Sequence, residues 1–215
     1  MAAKLIHEIL PLGPLQCNCS IFGDAATGEA IVIDPGDEIS RIEAVLKRHQ
    51  LAVKAIIITH AHIDHIGGAQ KLKKLTGAPV YLNERDQVLY DNLEMQAAWL
   101  GIDTPEQTEI DVSARDGDAV ALGGAQFQIM ETPGHTQGSL SVWIPAEQKL
   151  VAGDTLFRDS IGRTDLPGGD GRMILRSIHD KLLTLADETL VIPGHGQVTT
   201  IGRERERNPF LRGLG

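Results

Sequence analysis

The chain predicts an α/β fold: two β-sheets packed face to face, helices on the outside, and strand ends converging on one edge. Three observations carry this. Four short apolar runs, in "EAIVIDPGD", "KAIIITHAH", "KLVAGDTLF" and "ETLVIPGHG", are bounded by Gly, Pro or Asp and read as buried strands. Segments of helical period alternate with them. Each of the four strands also stops at a residue able to bind a metal: Asp34, His60, Asp154 and His195.

In chain order, "ISRIEAVLKRHQ" follows Asp37 and Glu38 with helical spacing, and "GGAQKLKKLTG" ends at a C-capping Gly77. "ERDQVLYDNLEMQAAWLG" keeps helical periodicity as far as Gly101. The runs "DAVAL", "AQFQIMET" and "SLSVWI" read as strands, with Gly123 and Gly124 turning a hairpin. "GRMILRSIHDKLLTL" is an amphipathic helix. A length of 215 residues suits a single domain spanning 1–215.

Hydrophobic content of 42% and charged content of 23% are enough for a buried core. A net charge of −9 argues against broad electrostatic binding to nucleic acid or anionic membranes. The start, "MAAKLIHEILPLGP", lacks the apolar core of a signal peptide, and no apolar run reaches the ~20 residues of a membrane span. Cys17 and Cys19 fall on one face of a strand, too close together for an easy disulfide, and are expected as buried, reduced thiols. The expectation is a cytoplasmic protein. Nothing in the chain specifies an oligomeric state.

The chemistry concentrates in "THAHIDHIGG", where three of the eight histidines and an aspartate fall within six residues. His60 and His62, one residue apart, can point the same way, and Asp64 and His65 follow as a helix opens. Imidazole suits zinc, iron, nickel and copper, and a carboxylate adds a hard oxygen. Four ligands so close together fit two adjacent ions better than one tetrahedral ion. Further candidates stand on glycine-flanked loops: His135 in "ETPGHTQGS", Asp154 in "VAGDTLF" and His195 in "VIPGHG". A lone His-x-His would not separate a metal site from a polar loop. This set of seven does. His7, His49 and His179 lack such context and read as surface or satisfied side chains.

"HAHIDH", "GHTQGS", "GDTLF" and "PGHG" together resemble the metallo-β-lactamase superfamily over nearly the whole chain. The resemblance implies an αββα sandwich, two packed mixed β-sheets flanked by helices, with a dinuclear site at one edge. It implies that His60, His62 and His135 bind one metal and that Asp64, His65 and His195 bind the other. Asp154 and a hydroxide would bridge them, and Asp34 would support the ligand loop from behind. Zinc is the expected metal; iron and manganese also suit the donors.

"GDTLFRDSIGRTDLPGGD" and "PGHGQVTTIGRERERNPFL" are similar to the glyoxalase II group of thioester hydrolases, in its short bacterial form. That likeness implies hydrolysis of S-lactoylglutathione or a related acyl-glutathione, a small-molecule thioester, with Asp64 or Asp154 accepting a proton in passing. Larger members hold glutathione with a lysine, two tyrosines and a C-terminal helical domain. Here Arg163 takes the lysine position, Asp165 and Gln197 take the tyrosine positions, and the chain ends about twenty residues after His195, so the grip on glutathione is expected to be weak. Persulfide dioxygenases, which use one Fe(II), share "GRTD", but their last motif carries an aspartate after the histidine where this chain has "HGQ". A metal-dependent lactonase is the other alternative.

Overall fold

The apolar runs pair into two six-stranded sheets in a computed structural model that describes residues 5–212. Residues 1–4, part of the stretch read above for a leader, lie outside the described residues, as do residues 213–215. The first sheet runs, edge to edge, Ile6–Leu12, Cys17–Asp24, Glu29–Ile33, Ala52–Ile57, Val80–Leu82, Val112–Ser113. The second runs Thr199–Thr200, Leu190–Pro193, Lys149–Gly153, Leu140–Ile144, Ala125–Glu131, Ala119–Leu122.

These strands are almost continuously apolar because both faces are buried. In the first sheet Ile31, Ile33 and Ile57 face the other sheet with Phe22, while Val32, Ile56 and Ile58 face outward onto Ile42, Val45 and Leu72 of the covering helices. In the second, Leu140, Val142 and Ile192 point inward, and Leu150, Ala152 and Val191 pack on Ile174, Ile178 and Ile201. This is the predicted helix–sheet–sheet–helix layering. Cys17 and Cys19 are buried and unbridged in the second strand.

Pairing direction positions the site. Glu29–Ile33 is parallel to Ala52–Ile57, and Lys149–Gly153 is parallel to Leu190–Pro193. Two pairs of C-terminal strand ends therefore share one edge, and backbone bonds lace the sheets together there. Leu140 N–H donates to the Thr59 carbonyl (2.8 Å), and Asn18 N–H donates to that of Gly194 (2.7 Å).

Two helices depart from expectation. "ERDQVLYDNLEMQAAWLG" is broken into a tight turn at Glu84–Asp86, then Gln87–Asp91 and Leu93–Leu100. The break falls at Asn92, whose side-chain amide donates to the Val88 carbonyl (2.7 Å) and so competes with the helical ladder. "GRMILRSIHDKLLTL" is helical over Gly171–Ser177 and then widens over Ile178–Leu182, where Leu183 N–H reaches back five residues to Ile178.

Candidate metal centre

All seven sequence candidates meet at this edge. His60 Nε2 and His135 Nε2 lie 3.0 and 2.9 Å from His62 Nδ1. On the other side, His195 Nε2 is 3.1 Å from Asp64 Oδ2 and 3.4 Å from His65 Nε2. Between them stands Asp154. Its Oδ1 is 3.5 Å from His65 Nε2, and its Oδ2 is 3.6 Å from His135 Nε2 and 3.8 Å from His195 Nε2. The groupings His60–His62–His135, Asp64–His65–His195 and His60–His65–Asp154 each bring their donor atoms within 4.8 Å of one another.

The outward nitrogens settle which way the lone pairs face. His65 Nδ1 is 2.9 Å from Asp34 Oδ2, His135 Nδ1 is 2.8 Å from the Arg163 carbonyl, and His195 Nδ1 is 2.9 Å from the Leu15 carbonyl. A carbonyl or carboxylate oxygen only accepts, so each of these nitrogens carries a proton and leaves Nε2 as the nitrogen that faces the centre and would bind a metal. His60 Nδ1 similarly meets Thr59 Oγ1 (3.1 Å), whose own proton goes to Asp34 Oδ2 (2.7 Å).

Burial, with the neighbouring imidazoles, pushes His62 down to about 3 and His60 well below its ordinary value, so both rings stay neutral. Burial works against a charged His65, yet Cys17, Asp64, Asp154 and Asp34 around it pull it well above the imidazole range. Burial alone would raise Asp64, but His65 and His195 hold it well below the usual carboxylate range. The site thus offers neutral nitrogen donors at His60 and His62, with an ionised carboxylate at Asp64 beside them. Asp154 Oδ1 is buried with no hydrogen-bond partner, a costly state for a carboxylate unless a cation takes it up. The donor set fits divalent metal. A fourth grouping, Cys17–Asp34–His65, does not read as a ligand set: burial pushes the Cys17 thiol up to about 12, and Asp34 is committed to Thr59 and His65.

Glycines let these loops close. A Cβ on Gly36 would sit 1.6 Å from the Asp64 carbonyl oxygen, and one on Gly194 would sit 2.0 Å from Asp154 Oδ1. Arg163 lines the cavity beside the centre, but its exposed guanidinium is held by Asp165 through two 2.8 Å bonds. Gln197 accepts from Arg158 (2.6 Å). The three histidines set aside are accounted for: His7 stacks on Phe22, His49 meets Glu8, and His179 meets Asp180.

Sequence reasoning missed Asp86. Its buried carboxylate accepts from Ala61 N–H (3.0 Å) inside "HAHIDH", and from Thr136 Oγ1 (2.8 Å) and Gly138 N–H (2.6 Å) inside "GHTQGS". It therefore ties two ligand loops together. Gln96 does the same for the first loop, accepting from Ile63 N–H and donating to the Ala61 carbonyl. For Gln96, a polar residue on the buried face of an apolar helix was the available signal; Asp86, at the end of the tight turn Glu84–Asp86, offered none. Asp86→Ala should weaken metal retention by about 10–100-fold. Competition with a chelator should show loss at the His60–His62–His135 side first, and unaltered retention in a folded variant would refute the tie.

Mixed sheets between helices, with imidazoles and carboxylates gathered at their C-terminal edge, describe a metal-dependent hydrolase. The chain belongs to the metallo-β-lactamase superfamily, whose sequence profile matches residues 12–195. It is similar to hydroxyacylglutathione hydrolase GloC of Haemophilus influenzae, with 40% identity over 207 residues that cover 95% of this chain and 97% of that one. Its fold matches the crystal structure of BLEG-1 B3 metallo-β-lactamase at a TM-score of 0.90 and 38% identity, covering 97% and 100% of the two chains. It matches TTHA1623 in a di-iron-bound form at a TM-score of 0.86 and 37% identity, covering 95% and 100%. Among the described residues, no helix is long and apolar enough to cross a membrane.

Proposed function

We propose that this chain hydrolyses acyl thioesters of the S-acylglutathione class, S-lactoylglutathione or a relative of it, at a pair of divalent ions. The observation that carries the reading is Asp154, whose two carboxylate oxygens reach both histidine groups while one of them lacks a partner. His60, His62 and His135 would hold one ion, Asp64, His65 and His195 the other, and Asp154 both. Zinc is the first choice, and the di-iron form of TTHA1623 keeps iron in view. Ions held there supply a water of lowered pKa and positive charge for the developing oxyanion.

The remaining work falls to the chain itself. The Nδ1 bonds of His65, His135 and His195 hold the rings and their tautomers in place. Asp64 or Asp154 takes the proton of the attacking water, since both line the cavity beside the centre. No serine or cysteine nucleophile is required. The GloC relative supports the thioester, and Arg163, already paired with Asp165, offers glutathione only a weak hold. The BLEG-1 match favours β-lactam hydrolysis as a second reading.

Elemental analysis should find about two ions per chain, and His65→Ala should empty mainly one position. A stable, fully active enzyme with a single ion would overturn the paired-ion reading. A panel of acyl-glutathiones, lactones, a β-lactam and glutathione persulfide, with oxygen uptake followed for the last, decides among substrates. Thioester turnover well above the rest is the expected result.

A further inference from the structure

Beside the candidate centre lies a cavity of about 570 Å³, floored by His62, Asp64, His135, Asp154 and His195. One wall is Leu93–Leu100 and the turn before it. Leu93 and Ala97 pack into the core, so one face of this helix is used. Met95 and Trp99, one turn apart on another face, line the cavity together with Val88 of Gln87–Asp91, yet the three are 42%, 62% and 73% exposed. A helix that is apolar on both faces is ordinarily covered on both. Leu15 and Leu166 face the same space.

The polar lining is largely spent. Both cations that line the cavity are paired, Arg163 with Asp165 and Arg85 with Glu131. Gln96 and Asp86 are bonded to the ligand loops. Recognition in this space therefore rests on apolar area more than on ion pairs.

We propose that the cavity binds the apolar acyl chain of the thioester, with Met95 and Trp99 as specificity-determining contacts, so that among unsubstituted acyl groups the longer chains are preferred to acetyl. This rests on the thioesterase reading above. The cavity is continuous with the catalytic edge, which places an acyl chain there next to its own scissile carbonyl. A second copy of this chain would cover the helix but would leave that continuity without a purpose.

The test uses the full zinc-loaded chain and the acetyl, butyryl, hexanoyl and octanoyl thioesters of glutathione. The value of kcat/KM should rise about threefold to fourfold per methylene until the cavity is filled. Trp99→Ala and Met95→Ala should each cut the octanoyl-to-acetyl ratio about tenfold. In parallel, calorimetry with S-methyl-, S-butyl- and S-octylglutathione, which cannot be hydrolysed, should show affinity rising with alkyl length. A flat series in both assays would overturn the proposal. So would an unchanged ratio in Trp99→Ala, or a dimer that Trp99→Ala dissociates alongside a flat series. Failure to cleave any thioester would remove the thioesterase reading alone, because the thioether series still reports whether the cavity takes an alkyl chain.

Discussion

Asp154→Asn should abolish turnover, lowering kcat by about a thousandfold or more, and strip metal from both positions. The substitution keeps the shape of the side chain and removes its charge. Asp154 is the group whose oxygens approach donors on both sides, 3.5 Å from His65 and 3.6 Å from His135. Removing a ligand held by one side only, as in His65→Ala, should leave the other position partly filled. Thermal unfolding adds a second check. In chelated protein, Asp154→Asn should melt no lower than the parent, because the parent buries Oδ1 without a hydrogen-bond partner, and an unpaired buried oxygen is destabilising until a cation arrives. With metal present the order should reverse, since only the parent gains binding energy on loading. Full metal content in the variant, measured by elemental analysis, would remove Asp154 from its shared role.

Asp34→Ala should be among the most damaging changes to stability. This buried carboxylate accepts from Thr59 N–H and Thr59 Oγ1, each at 2.7 Å, and faces His65 Nδ1 at 2.9 Å. Truncation leaves those donors unpaired in the interior, at a cost of about 3–5 kcal/mol. Asp34 also has φ of 54°, a left-handed conformation that aspartate and asparagine tolerate better than alanine. For a chain of this size the melting temperature should fall by on the order of 10 °C. Asp34→Asn separates the two roles. It keeps the backbone conformation and an acceptor for Thr59, but its amide cannot replace the carboxylate toward both Thr59 Oγ1 and His65. The His65 tautomer is then free to change, turning a proton toward the centre. Metal affinity or turnover should drop about 10–100-fold with a smaller loss of stability than in the alanine variant. Equal melting temperatures for the two variants would show that the carboxylate's bonds contribute little to the fold.

Much of this was legible in the sequence because it is local. The runs ending at Asp34, His60, Asp154 and His195 are nearly all apolar, which only a strand covered on both faces requires, and from that the sandwich follows. The seven candidate ligands were equally visible, because metal chemistry allows few residue types and glycine must flank loops that pack this closely, as Gly36 and Gly194 do. Helix interruptions were less legible. Asn92 looks like any polar residue in an amphipathic pattern until its side chain is seen bonded to Val88.

What the sequence by itself determined, then, was the pair of packed sheets and the identity of the residues at their common edge. Only the tertiary structure decided how those residues act together. Asp86 joins two loops, reaching 25 residues back to Ala61 and 52 residues forward to Gly138, and no local pattern encodes those distances. The Arg163 carbonyl, rather than its guanidinium, is what holds His135. The apolar wall of Val88, Met95 and Trp99 reads as ordinary helix periodicity in sequence, and its facing a cavity floored by histidines depends on where that helix docks. Long-range packing sets all three, because a side chain's partner is fixed by the surfaces the folded sheets bring together and not by its neighbours in the chain.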